Sequence, residues 1–202
     1  MHATPMLLAA LLATPCSASS DEPPTQLRIE LDGKSYVTAA GASLEVDVGG
    51  RKATLRVEEL PWRHFAQGTL QFDYPRHFPW QSDRSPPRSW TLDGNDAVIM
   101  LFDNVDPKRK AEDVAAGIER SIAPGAPAQR AKAVLRTAKS GTLTGVASTM
   151  TVAGNAMSNE IFALDKGDAS WLLVLQDALD ERGEHSSEYI EMRTRLSATL
   201  EF

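Results

Sequence analysis

The sequence predicts an α+β fold: an antiparallel sheet with helices on both faces, an α/β/α sandwich, preceded by a small β meander. Three observations lead there. Residues 97–102 and 171–175 are unbroken apolar runs of strand length, and a strand with no polar face needs cover on both sides. Residues 111–122 and about 187–199 carry apolar side chains at helical spacing, so two covering elements are at hand. Period-two stretches separated by Gly, Asn and Asp turns fill much of the rest. With 42% apolar and 24% charged residues in a chain of 202, the composition is that of a folded unit rather than a disordered one.

Taken in order, residues 1–18 read as a signal peptide. They hold no charged side chain, and the apolar run 6–13 is too short to span a bilayer, which needs about 20 residues. Small residues around Ala18 suit cleavage after it, and the expected location is outside the cytosol, periplasmic or extracellular. Cys16 invites a lipid anchor, but Pro15 stands where a small, flexible residue is needed, so cleavage is the expectation. Residues 19–26 read as a disordered, Pro-rich spacer.

Residues 27–60 read as the meander. Leu27, Ile29 and Leu31 alternate before Asp32-Gly33; Leu44, Val46 and Val48 alternate before Gly49-Gly50; Ala53, Leu55 and Val57 follow. Residues 61–202 read as the sandwich. Leu70, Phe72 and Tyr74 form a one-sided strand ending at Pro75, and 75–90 is an irregular stretch with four prolines. After the 97–102 run, Asp106-Pro107 supplies an N-cap and a first-turn proline, and residues 124–127 stop the helix. Residues 131–138, 146–152 and 157–164 read as further strands, with Gly154-Asn155 as a turn. The closing helix sets Tyr189, Met192, Leu196 and Leu200 on one stripe.

The order of these elements resembles the PsbP-like family, which includes DcrB-like periplasmic proteins. The resemblance covers Leu70 to Phe202. It rests on Phe72-x-Tyr74-Pro75-x-x-Phe78-x-Trp80, the apolar strand 97–102 and the helix after it, the hairpin region around Gly145, and the terminal helix ending at Leu200-Glu201-Phe202. The 27–58 meander is no part of that pattern. What the resemblance implies is an exported, noncatalytic binding or assembly module, and a fold by itself does not fix a function.

Motifs of catalysis are missing from the sequence. There is no Gly-x-Ser-x-Gly elbow, no phosphate-cradling Gly loop and no His-Glu-x-x-His string, and the single Cys excludes a Cys-based zinc site. No cofactor and no metal site is expected, although His64 and His77 stand where they could converge across the first strand of the body. Asp93-Gly94-Asn95-Asp96 and Asp103-Asn104-Val105-Asp106 lack the ligand spacing of a calcium loop and read as a turn and a cap. Lys and Arg total 21 against 27 acids, a net charge of −6, which argues against a nucleic-acid binder. The tail acids Asp177, Asp180, Glu181, Glu184, Glu188 and Glu191 read as a solvated loop and first helical turn.

Residues 62–90 carry the candidate binding surface: Trp62, His64, Tyr74, His77, Trp80, Arg84 and Trp90. Aromatic side chains and Arg dominate binding hot spots because they bury much area at low entropic cost. The competing reading is that these aromatics seal the end of the sheet, and a filled plug there favours an assembly role. The expected function is an exported noncatalytic binding or accessory protein whose partner is another protein. The alternatives are a carrier of a small molecule or lipid with an aromatic-lined pocket, and a hydrolase whose site converges from distant residues.

Overall fold

The computed structural model describes residues 26–103, 110–122, 128–166 and 169–202. The expected signal peptide (1–18), the expected Asp106-Pro107 cap and the expected 124–127 stop lie outside the described residues, as does the expected 19–26 spacer except for Gln26, which is the first residue of a strand. Contacts divide the chain into two units, before and after Glu59.

The first unit holds two antiparallel hairpins: β1 (Gln26–Leu31) with β2 (Lys34–Ala39), and β3 (Ser43–Val48) with β4 (Arg51–Arg56). Asp32 and Gly33 sit at positive φ, 49° and 74°, as a tight hairpin turn demands, and Gly is the residue that tolerates it. The hairpins are tied together at Asp47. Its N–H donates to the Tyr36 hydroxyl at 3.1 Å, and its carboxylate accepts the Gly50 N–H at 2.8 Å and pairs with Lys34.

The second unit follows as β5 (Trp62–Gln67), β6 (Leu70–Pro75), β7 (Trp80–Asp83), β8 (Ser89–Asp93), β9 (Ala97–Asp103), α1 (Ala111–Ile122), β10 (Gln129–Thr137), β11 (Gly141–Val152), β12 (Asn155–Lys166), β13 (Ala169–Ala178) and α2 (Ser187–Thr199). Seven of these strands make one antiparallel sheet in the order β10-β11-β12-β13-β9-β8-β7. Strands β5 and β6 form a separate hairpin. Gly145 lets β11 press against β12: a Cβ there would fall 2.0 Å from the Ile161 carbonyl oxygen.

One face of the sheet is closed. Ile99, Leu101, Phe162, Leu164, Leu173 and Leu175 pack there against Phe65, Leu70 and Phe72 of the hairpin and against Tyr189, Met192, Leu196 and Leu200 of α2. The chain end is zipped to the hairpin, since Gln71 and Glu201 exchange both backbone hydrogen bonds, at 2.8 and 2.9 Å. On the opposite face, Val114 and Ala115 of α1 pack on Val146, Ile161, Leu172 and Val174.

The expected α/β/α sandwich is overturned. Strand makes up 58% of the described residues and helix 15%, with only two helices among them. The covering that a helical layer was expected to supply comes in part from the β5–β6 hairpin, beside α2. Helix α1 lies over β11 and β12 and stops short of a full layer. The consequence shows along β9, where Ala97, Ile99, Leu101 and Asp103 are buried while Val98, Met100 and Phe102 on the other face are only half-buried. The 171–175 run, in contrast, is buried at every residue. An unbroken apolar run states a preference for cover; it does not supply the helix that would provide it.

Candidate functional site

Alternation along β5 and β6 decides where the 62–90 residues go. Phe65, Phe72 and Tyr74 point to the sheet, and the Phe65 and Phe72 rings stack at 4.9 Å across the register pair they form. Trp90 of β8 meets Phe65 edge-on at 5.8 Å and Trp171 of β13 at 5.5 Å. Tyr74 and Trp90, each 6% exposed, therefore belong to a filled aromatic plug rather than to a pocket wall. Arg88 lies over Trp90 at 5.6 Å and is paired with the buried Asp103.

Two more candidates fasten α2. Half-buried Trp62 lies under the Arg195 guanidinium at 5.1 Å. Exposed His64 pairs with Asp73 across the hairpin at 2.8 Å, and Asp73 also holds Arg195 at 2.5 Å and donates its N–H to Thr199 Oγ1 at 3.0 Å. Burial works against a charged Asp73, but hydrogen bonds from His64 and Arg195 outweigh it and hold the carboxyl below its ordinary value. His77 reaches the other end of α2, where its Nε2 lies 2.6 Å from Glu188. The second oxygen of Glu188 accepts the N–H groups of Asp96 and Ala97 at 2.7 and 2.9 Å, plugging the β8–β9 turn. Here too burial opposes the charge, and the turn N–H groups together with His77 win, so Glu188 titrates low. Gly94 makes room for this, because a Cβ would fall 2.5 Å from the Phe78 ring and 2.6 Å from Glu188.

His64 and His77 thus serve separate carboxylates, and among the described residues no three His, Cys, Asp or Glu side chains stand together as a metal site would need. Trp80 and Arg84 are what remains. Trp80, in β7, is 52% exposed beside Leu92 of β8, and Arg84 is exposed just past the end of the strand, where Asp83 accepts the Ser85 N–H at 2.8 Å. All four residues of β7 are exposed, and among the described residues the sheet ends there.

A second cluster escaped the sequence reading. Asp177, grouped with the solvated tail acids, is fully buried. It accepts hydrogen bonds from the Ser186 N–H and hydroxyl at 3.1 and 2.7 Å and lies 2.7 Å from His185 Nδ1; Ser186 in turn caps α2 by accepting the Tyr189 N–H at 3.0 Å. The His185 ring stacks on Tyr189 at 4.5 Å. Alongside, Arg193 grips Glu160 at 2.8 and 3.3 Å and donates to the Val134 carbonyl at 2.7 Å. His185, Tyr189, Ile190, Arg193, Thr194, Ser197 and Glu160 line an open cleft of about 510 Å³. Burial first, and then the Glu160 carboxylate, push the Tyr189 phenol far up, so it stays protonated. The available signal was Asp177 following directly on a buried strand with a His-Ser pair a short loop later.

No known protein-family model matches this chain. No curated protein matches it either. The PsbP-like and DcrB-like resemblance therefore has no match behind it, and the functional reading rests on the residues themselves. Among the described residues no helix is long and apolar enough to cross a membrane.

Proposed function

We propose that this protein is an exported, noncatalytic interaction module that takes an extended segment of another protein along β7, with Trp80 as the anchor. One observation carries the reading: Phe65, Phe72, Tyr74, Phe78 and Trp90 fill a plug and Trp62 is held under Arg195, whereas Trp80 is exposed on β7, the last strand of the sheet among the described residues. An edge strand offers unpaired backbone groups to an incoming chain, so main-chain hydrogen bonds supply affinity and side-chain contacts supply selectivity. Strand β7 is only four residues long and carries one charge, Asp83, at its end, and it has no proline inside it to block main-chain pairing. Arg84 next to it adds a second residue type favoured at hot spots.

The immobilised full chain is expected to capture its partner from an extract of the compartment it occupies, and Trp80→Ala and Arg84→Ala to lose it. Unchanged capture by both variants removes this surface. Mass spectrometry of the exported form is expected to start after Ala18.

The Asp177–His185 pair beside the α2 cleft favours a second reading, hydrolysis, because a buried carboxylate on Nδ1 orients a histidine as a general base. Ser186 does not serve as its nucleophile, since its hydroxyl is committed to Asp177 and to the helix cap. Ester or peptide hydrolysis lost on His185→Gln would establish this reading; equal activity in that variant would remove it.

A further inference from the structure

The face of the sheet that α1 leaves incomplete is not simply bare. Met100 and Phe102 of β9 and Leu172 of β13 form a floor; Val114, Gly117, Ile118 and Ser121 along one flank of α1 form a wall; Pro87 stands at the rim. The space between them is about 350 Å³, inside the range of about 300–1,000 Å³ typical of small-ligand sites. Among the described residues of the lining, Ser121 supplies the only polar side chain. Gly117 faces room, since a Cβ placed on it meets nothing within 4 Å.

We propose that this trough binds a single hydrocarbon chain of the kind carried by a medium-chain fatty acid. A lining with one hydroxyl cannot orient a polar scaffold, so recognition has to come from apolar area removed from water. The trough is partly open, which lets the polar head of such a molecule stay in solvent. This site is independent of β7 docking, because it rests on the α1 flank and the inner strands.

The test uses lauric acid, below its micelle concentration, with the full chain. Calorimetry is expected to show binding, and the melting temperature is expected to rise with ligand concentration by mass action. Gly117→Phe fills the trough from the helix while gaining helix propensity, and Met100→Trp fills it from the floor. Each is expected to weaken lauric acid binding about tenfold or more. A spin-labelled lauric acid is expected to broaden the Met100 methyl signal of the unmodified protein. Absence of binding by the unmodified protein, binding that survives in either folded variant, or broadening that spares Met100 would overturn the proposal.

Discussion

Trp90 and Trp80 sit on neighbouring strands of one sheet and meet opposite fates. Trp90, on β8, lies beneath the β5–β6 hairpin and touches Phe65 and Trp171; Trp80, on β7, lies past the hairpin's reach with half its surface in water. The two are equally aromatic in the sequence. What separates them is one strand's width, because the layer of hairpin and α2 runs out between β8 and β7. The opposite end of the sheet is treated differently again. Edge strand β10 carries Arg130, Lys132 and Arg136, and the Val134 carbonyl is taken by Arg193 of α2. Charges and a donor finish that edge, whereas β7 has a single charge, Asp83, and a length of four residues.

The largest effect expected from this contrast is on stability. Trp90→Ala should cost about 3–5 kcal/mol, the usual range for emptying a large aromatic site in a core, read by denaturant unfolding. A cost as small as that of Trp80→Ala would break the contrast between plug and rim. Next, Glu188→Ala should cost roughly 1–3 kcal/mol, because it strips the acceptor from the Asp96 and Ala97 N–H groups that close the plug's rim.

The same carboxylates set a pH dependence. Asp73 and Glu188 titrate below their ordinary values in the folded state, so the unfolded chain binds their protons first as the pH falls. Their stabilisation is complete above the ordinary carboxyl range and is lost as acid takes the pH below about 4. Glu188→Gln should flatten that acid limb, and an unchanged limb would show that the Glu188 contacts with His77, Asp96 and Ala97 carry none of it. The smallest stability effect belongs to Trp80→Ala, within about 0.5 kcal/mol, as for an ordinary surface change.

Much of the strand pattern was legible. Leu70, Phe72 and Tyr74 did turn one face to the core, and Asp32-Gly33 did form the tight turn. Residues 187–199 are the closing helix, with Tyr189, Met192 and Leu196 buried. Strand β5 was not legible, because Trp62-Arg63-His64-Phe65 puts polar and aromatic residues on both faces and only the pairing with β6 sorts them. Strands β7 and β8 were hidden in a proline-rich stretch, since the prolines stand outside both strands rather than within them. The layers could not be read either, because Met100 and Phe102 are as apolar as Ile99 and Leu101, and only the reach of α1 decides which pair stays half-open.

Of the seven candidate surface residues, periodicity had already marked Tyr74 as inward. Trp90 gave no such sign, because its burial depends on a hairpin that pairs elsewhere. Asp177 was misread for a similar reason: an acid next to an acidic loop resembles its neighbours until the cap it accepts from Ser186 is in view.

The most direct test of the proposed role is hydrogen exchange of the backbone amides in the free protein and in its captured complex. Strand addition predicts slower exchange within Trp80–Asp83 on binding, with β10 unchanged. Slowing confined to other parts of the molecule, with the β7 amides exchanging as before, would contradict it.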